Sequence, residues 1–157
     1  MLKSMRYASV GDLKKVLSNY LNDAKLKPDF VEYAKGVVGE DEDWIARTYD
    51  YVKQYVEYVP DPDGMELFIA PWVMMERVRE ETAAGDCDDI ALFTASLFRV
   101  TGHQSRILII ATGSQGLDHA VAEVFNPKIN EWVMVDPSAK NVPLGWYERH
   151  SERVIVE

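Results

Sequence analysis

Gly85-Asp86-Cys87-Asp88-Asp89-Ile90-Ala91-Leu92-Phe93-Thr94-Ala95-Ser96-Leu97-Phe98-Arg99-Val100-Thr101-Gly102 is the stretch on which the reading of this chain turns. Between Asp86 and Thr101 its apolar side chains cover nearly the whole circumference of a helix, and a helix that is apolar all round is a buried one. Gly102 suits the left-handed residue that commonly closes a helix. At the other end, Asp86 suits the N-cap and Asp89 the third helical position of a capping-box-like arrangement. Cys87 therefore stands in the first turn, where unsatisfied backbone N–H groups and the helix dipole favour a thiolate over a thiol. Such surroundings, with a neighbouring imidazolium, can lower a cysteine pKa from about 8.5 to roughly 3.5–7.5. The flanking acids Asp86, Asp88 and Asp89 oppose this electrostatically, and capping gives two of them a plain structural use.

Upstream of this helix the signals are helical. Ile45, Tyr49, Val52, Val56 and Val59 fall at spacings of three and four residues, which predicts a helix running from Trp44 towards Val59. Two shorter helices are expected from Asp12 to about Ala24 and from Pro28 to about Val38, and another from about Pro71 to Glu81. Pro60-Asp61-Pro62-Asp63-Gly64 reads as a loop. Downstream, Arg106–Ala111, His119–Phe125 and Glu131–Val135 read as three antiparallel strands, with Arg153–Val156 a fourth candidate. Helices first and a sheet afterwards is the α+β pattern. No repeat or low-complexity linker divides the 157 residues, so one domain is expected: a helical part over 1–84, a helix-and-sheet core over 85–138 and an extension over 139–157.

Composition narrows the function classes. The formal charge of −9 argues against a nucleic-acid binder, whose surface must attract phosphates. One cysteine can form neither an intrachain disulfide nor a cysteine-based zinc site, and suits a reducing compartment. The first ten residues lack the apolar stretch of a signal peptide, and the apolar runs elsewhere are too short for a membrane helix. The expectation is a soluble cytoplasmic protein.

A thiol nucleophile needs an imidazole as base and a group to orient it. Of the three histidines, His103 follows the helix and His150 lies near the chain end, and both read as solvated surface residues. His119 opens an apolar strand, and Asp136 ends the next one in Val133-Met134-Val135-Asp136-Pro137. Antiparallel strands joined by a short turn set the start of one beside the end of the next, so His119 and Asp136 are candidate neighbours. Asp118 is nearer in sequence but, as an adjacent strand residue, points to the opposite face.

Gly85-Asp86-Cys87-Asp88-Asp89-Ile90-Ala91, Arg99-Val100-Thr101-Gly102, Arg106, His119-Ala120-Val121-Ala122-Glu123-Val124 and Trp132-Val133-Met134-Val135-Asp136-Pro137-Ser138 together resemble the transglutaminase-like superfamily of papain-like folds. The order Cys, His, Asp and the separations of 32 and 17 residues carry the resemblance. It implies a papain-like core, a buried helix packed on a small antiparallel sheet. It also implies Cys87 as nucleophile, His119 as general base and then acid, and Asp136 as the group that orients the imidazole. Val121 departs from the family, which often has Trp there, and no upstream side chain is identified as an oxyanion donor beside the Cys87 backbone N–H.

The implied activity is thiol acyl transfer on a carboxamide or peptide bond through a thioester, as an amidase, peptidase or transamidase. The related cell-wall endopeptidases, which also start a helix with Asp-Cys, are a rival within the same chemistry. Two other readings stand beside it: a buried structural thiol, and a noncatalytic interaction module on the same scaffold. Trp44, Trp72, Trp132 and Trp146 are candidate walls of a cleft for an acyl substrate, although each such residue is more often a core anchor. Period-two alternation, which puts Trp132 and Met134 on the side of Asp136, makes Trp132 the best candidate substrate-binding wall. No metal-ligand spacing and no calcium loop of the Asp-x-Asp-x-Asp-Gly type occurs, so neither metal nor cofactor is expected. The expected partner is a peptide or protein amide substrate. Nucleic acid and membrane are not expected, and the oligomeric state is left open.

Overall fold

A computed structural model describes residues 10–60, 68–113, 116–139, 143–144 and 153–157. Its helices are α1 (Val10–Asp23), α2 (Pro28–Val38), α3 (Trp44–Tyr55), α4 (Pro71–Arg79) and α5 (Cys87–Val100), with a 3-10 turn at Ala24–Leu26. Its strands are β1 (Glu57–Tyr58), β2 (Ala84–Gly85), β3 (Ser105–Ile110), β4 (His119–Asn126), β5 (Glu131–Val135) and β6 (Arg153–Val156). The four longer strands form an antiparallel sheet in the order β5-β4-β3-β6, so the three expected strands and the fourth candidate all pair.

Helix α5 is the centre of the molecule, and all its residues from Cys87 to Phe98 are buried. On its sheet side Cys87, Ala91, Leu92 and Ala95 pack with Ile107, Ile109, Ala120 and Ala122. The alanines on both surfaces let helix and sheet approach closely. On its other side Ile90, Phe93 and Leu97 pack with Phe30, Ala34, Val52 and Met74 of α2, α3 and α4. A helix held between a sheet and a helical layer has no solvent face, which is why its sequence is apolar all round. Each large side chain buried there contributes about 1.5–3 kcal/mol. The reverse face of the sheet is also covered: Leu108, Ile110, Val121 and Met134 are buried together, with Ile155 against them.

Helix α3 is shorter than its apolar spacing predicts. It ends at Tyr55, Val56 turns extended, and Glu57–Tyr58 pairs in parallel with Ala84–Gly85. The bonds from Glu57 N–H to Ala83 O (3.0 Å) and from Val59 N–H to Gly85 O (2.8 Å) replace the helical ones. Spacing that marks a helical face also suits residues that stay buried after the chain straightens, and Val56 remains in the core. Of the expected 60–64 loop only Pro60 is among the described residues, and none of their helices is long and apolar enough to cross a membrane.

Candidate active site

The start of α5 is fixed before any chemistry is considered. Asp86 accepts from the backbone N–H groups of Asp88 (3.1 Å) and Asp89 (3.3 Å), and Asp89 accepts in return from Asp86 N–H (3.2 Å). This is the reciprocal capping box expected from the sequence. The other Asp89 oxygen accepts from Ile69 N–H at 2.9 Å and so ties the segment before α4 to the cap. Burial, and then the neighbouring Asp86 charge, push the Asp89 carboxyl up to about 9. Gly85 is needed because a Cβ there would lie 2.7 Å from Asp89 Cβ and 2.9 Å from Asp89 Oδ2.

Cys87 follows the cap, buried at 4% exposure, with its sulfur 4.0 Å from Asp88 Oδ1 and accepting from the Ala120 backbone N–H. Burial pushes the thiol well above its ordinary value and the Asp88 and Asp86 charges add to this, while the Ala120 N–H pulls it down. Burial and the two flanking acids thus oppose the thiolate that the helix terminus favours. Ala120 adjoins His119, so the strand that carries the imidazole also touches the sulfur.

His119 Nε2 lies 2.7 Å from Asp136 Oδ2. The β4–β5 ladder ends at Ala122–Val135, which leaves the first residue of β4 and the residue after β5 beyond the last pair and within reach of each other. The second Asp136 oxygen accepts from Ser138 Oγ (2.5 Å) and Ser138 N–H (3.2 Å), an Asx-type turn that holds the carboxylate from behind. Ser138 belongs to the motif quoted from the sequence, but no role was read for it there, although a serine two residues after an aspartate is the signal for such a turn. Asp118 is engaged elsewhere, accepting from Thr112 N–H (2.8 Å) and Thr112 Oγ1 (2.7 Å), in keeping with its expected orientation.

Tyr58 was also missed, because its place depends on the β1–β2 pairing that helical spacing concealed. It pairs with Gly85, two residues before Cys87, and packs against the cluster that contains Cys87. Burial raises its phenol above the ordinary value, and the charges of Cys87, Asp86, Asp88 and Asp136 raise it further. Tyr58, Pro137 and Ser138 line a groove of about 450 Å³ with Lys53, Glu57 and Ala83.

Trp132 lies opposite Phe125 with ring centroids 5.6 Å apart, and the Arg106 guanidinium stands 3.8 Å over its ring. Arg106 in turn pairs with Glu123 at 2.6 Å. His103 is not the solvated residue expected: its ring stacks on Trp44 at 3.8 Å and meets Phe98 edge-on, and burial lowers its pKa. The Trp44 face offers the imidazole more contact than solvent would. His150 and Trp146 lie outside the described residues.

Two solved structures share this fold. A proposed cysteine protease from Cytophaga hutchinsonii is 20% identical with a TM-score of 0.53, over 71% of this chain and 37% of that one. A proposed protease from Parabacteroides distasonis is 13% identical with a TM-score of 0.51, over 83% of this chain and 30% of that one. The chain thus spans about a third of the length of each. No curated protein sequence matches it. The sequence profile of the transglutaminase-like superfamily matches residues 30–137, a span that runs from within α2 through α5 to His119 at the start of β4 and Asp136 just past β5, and the chain belongs to that superfamily.

Proposed function

We propose that the protein is a thiol acyl-transfer enzyme that cleaves a carboxamide or peptide bond through Cys87, His119 and Asp136. The observation that carries this reading is the 2.7 Å bond between His119 Nε2 and Asp136 Oδ2. With Nε2 held by the carboxylate, proton exchange with the thiol falls to Nδ1. His119 takes the Cys87 proton as sulfur attacks the carbonyl carbon, then returns it to the departing amine, leaving a thioester. Water resolves the thioester in an amidase or peptidase, and an amine resolves it in a transamidase. The likeness to proteins named as proteases supports a peptide substrate. The net charge of −9 favours a cationic one. In this reading Trp132 is a wall of the site kept rigid by Arg106, the setting is the reducing cytoplasm, and no metal or cofactor takes part.

The burial of Cys87 favours a second reading, a noncatalytic interaction module on the same scaffold. Thioester trapping separates the two. Carboxamide peptides are incubated with the protein, quenched in acid and followed by intact mass. The enzyme reading expects an adduct on Cys87 equal to the peptide less ammonia, absent in His119→Ala. A protein that never gains this mass supports the module.

A further inference from the structure

We propose that the groove between α2 and α3 is a second binding site, one that takes an organic ammonium group: a cationic nitrogen with carbon substituents, as in a choline head or a methylated lysine side chain. It is lined by Tyr33 and Gly36 of α2 and by Arg47, Asp50, Tyr51 and Tyr55 of α3, around about 570 Å³, and by none of Cys87, His119 and Asp136. These residues recur at spacings of three and four, so each helix gives the groove one face. The Tyr33 and Tyr51 hydroxyls share a 2.6 Å hydrogen bond that ties the two helices together and fixes both rings. The ring planes meet at 70° between Tyr33 and Tyr51 and at 50° between Tyr51 and Tyr55, with centroids 6.1 and 4.7 Å apart. Rings set at such angles wall a recess for a rounded group, whereas a flat ligand calls for a level platform.

The floor of the groove is open for a reason that the fold does not supply. Gly36 lies inside α2, its φ is not positive, and a Cβ there would meet nothing within 4 Å. Neither backbone strain nor close packing requires glycine at this place, and glycine weakens a helix relative to alanine. What it provides is space beside the tyrosines. The charge of the occupant follows from the side chains around that space. Asp50 has no hydrogen bond or ion pair among the described residues, while Arg47, the one cation in the lining, is neutralised by Asp41 at 2.6 Å. Aromatic rings attract cations, and this chain already uses that contact: Arg79 stands 5.6 Å over Tyr33 and Lys53 5.2 Å over Tyr49. Tyr51 and Tyr55 carry no such cation among the described residues, and Tyr55 is 47% exposed. An ammonium group seated over Gly36 meets these rings and the Asp50 carboxylate together, and the net charge of −9 draws cations towards the surface.

The test titrates the full chain with choline, with its uncharged carbon analogue 3,3-dimethylbutan-1-ol and with a short peptide bearing trimethyllysine, while the backbone amide resonances of α2 and α3 are followed. Choline is expected to bind saturably and to shift Gly36, and the neutral analogue, equal in shape, to bind on the order of tenfold more weakly. Tyr55→Leu keeps an apolar side chain at an exposed position but removes the ring, and should weaken choline by a similar factor. Tyr55→Phe keeps the ring and should bind as the natural protein does. Gly36→Leu fills the floor with a residue that favours helix, and is expected to abolish binding with the unfolding midpoint kept or raised. A peptide that binds more tightly than choline identifies a protein side chain as the source of the ammonium group, and the reverse order a small molecule; either upholds the site. Equal binding of choline and its neutral analogue would overturn the proposal, as would binding untouched by Tyr55→Leu and Gly36→Leu, or no saturable binding of choline or peptide. None of these readings involves Cys87, so the site and the acyl-transfer reading stand or fall separately.

Discussion

His119 and Asp136 meet across the open end of the β4–β5 ladder, one residue starting a strand and the other just past the end of its neighbour, with 2.7 Å between Nε2 and Oδ2. The bond fixes the ring orientation and assigns Nε2 to the carboxylate, while Ser138 fixes the carboxylate. Removing Asp136 is therefore expected to act on chemistry more than on folding. Asp136→Ala should lower Cys87 acylation on the order of 10²–10⁴-fold, the usual scale of general acid–base catalysis. Ser138→Ala, which leaves the His119–Asp136 bond in place, should cost far less activity and about 0.5–1.5 kcal/mol of stability. Single-turnover acylation and urea unfolding measure the two effects.

Gly85→Ala tests the packing at the head of α5. A methyl group 2.7 Å from Asp89 Cβ cannot be accommodated without moving a buried side chain that accepts from Ile69 and Asp86. A loss of about 1–3 kcal/mol in denaturant unfolding is expected. Unchanged stability would show that the Asp89 tie is soft.

Asp89 carries a pH dependence whose sign follows from its raised carboxyl. Its folded pKa, up to about 9, exceeds the ordinary 3.8, so above about pH 4 the native state retains a proton that the unfolded chain has lost. This contribution to stability is present in full below that value and declines as pH rises towards 9, by at most about 1.4 kcal/mol per pH unit. Unfolding of Asp89→Asn, followed across this range, should show a flatter profile than the natural protein by up to one proton. An identical slope in the two proteins would contradict the assignment.

Arg106 and Glu123 pair at 2.6 Å with side-chain exposures of 15% and 4%, and Trp132 covers the guanidinium. Glu123→Ala strands that guanidinium and should cost about 3–5 kcal/mol. The double replacement Arg106→Met with Glu123→Leu should cost much less, because no charge is then left buried. Thermal unfolding of the single and double variants distinguishes the two cases. Trp132→Ala should lower stability as well and, if the ring is a wall of the cleft, raise KM with kcat unchanged.

The sequence was most legible where one residue type has one structural use. An Asp-Cys-Asp-Asp start followed by an all-round apolar run can only be a capped, buried helix, and the alternation from His119 to Val135 sets two strands whose ends meet. It was least legible where a local pattern serves two conformations. Val56 and Val59 continue the helical spacing, yet Val56 is buried beside a strand and Tyr58 is carried to the Cys87 cap by a parallel bridge to residues 84–85 that no local signal announces. His103 was misread for a related reason, since its partner Trp44 lies far away in sequence. The burial of Cys87 was legible in the all-round apolar helix that follows it, as the buried-thiol alternative, but how strongly it opposes the thiolate is a property of the assembled core.

The central claim is that His119 acts on Cys87, and one thiol in the whole chain makes the test direct. Alkylation of Cys87 is followed against pH in the natural protein and in His119→Ala. Burial and the Asp88 and Asp86 charges raise this thiol well above its ordinary value in the natural protein. A thiolate near neutral pH can therefore form there only by passing its proton to His119, and His119→Ala should react only in strongly alkaline solution. The natural protein should show a reactive thiolate well below pH 8, formed as the proton moves to the imidazole. A thiol that is inert, or that titrates identically with and without His119, would contradict the claim.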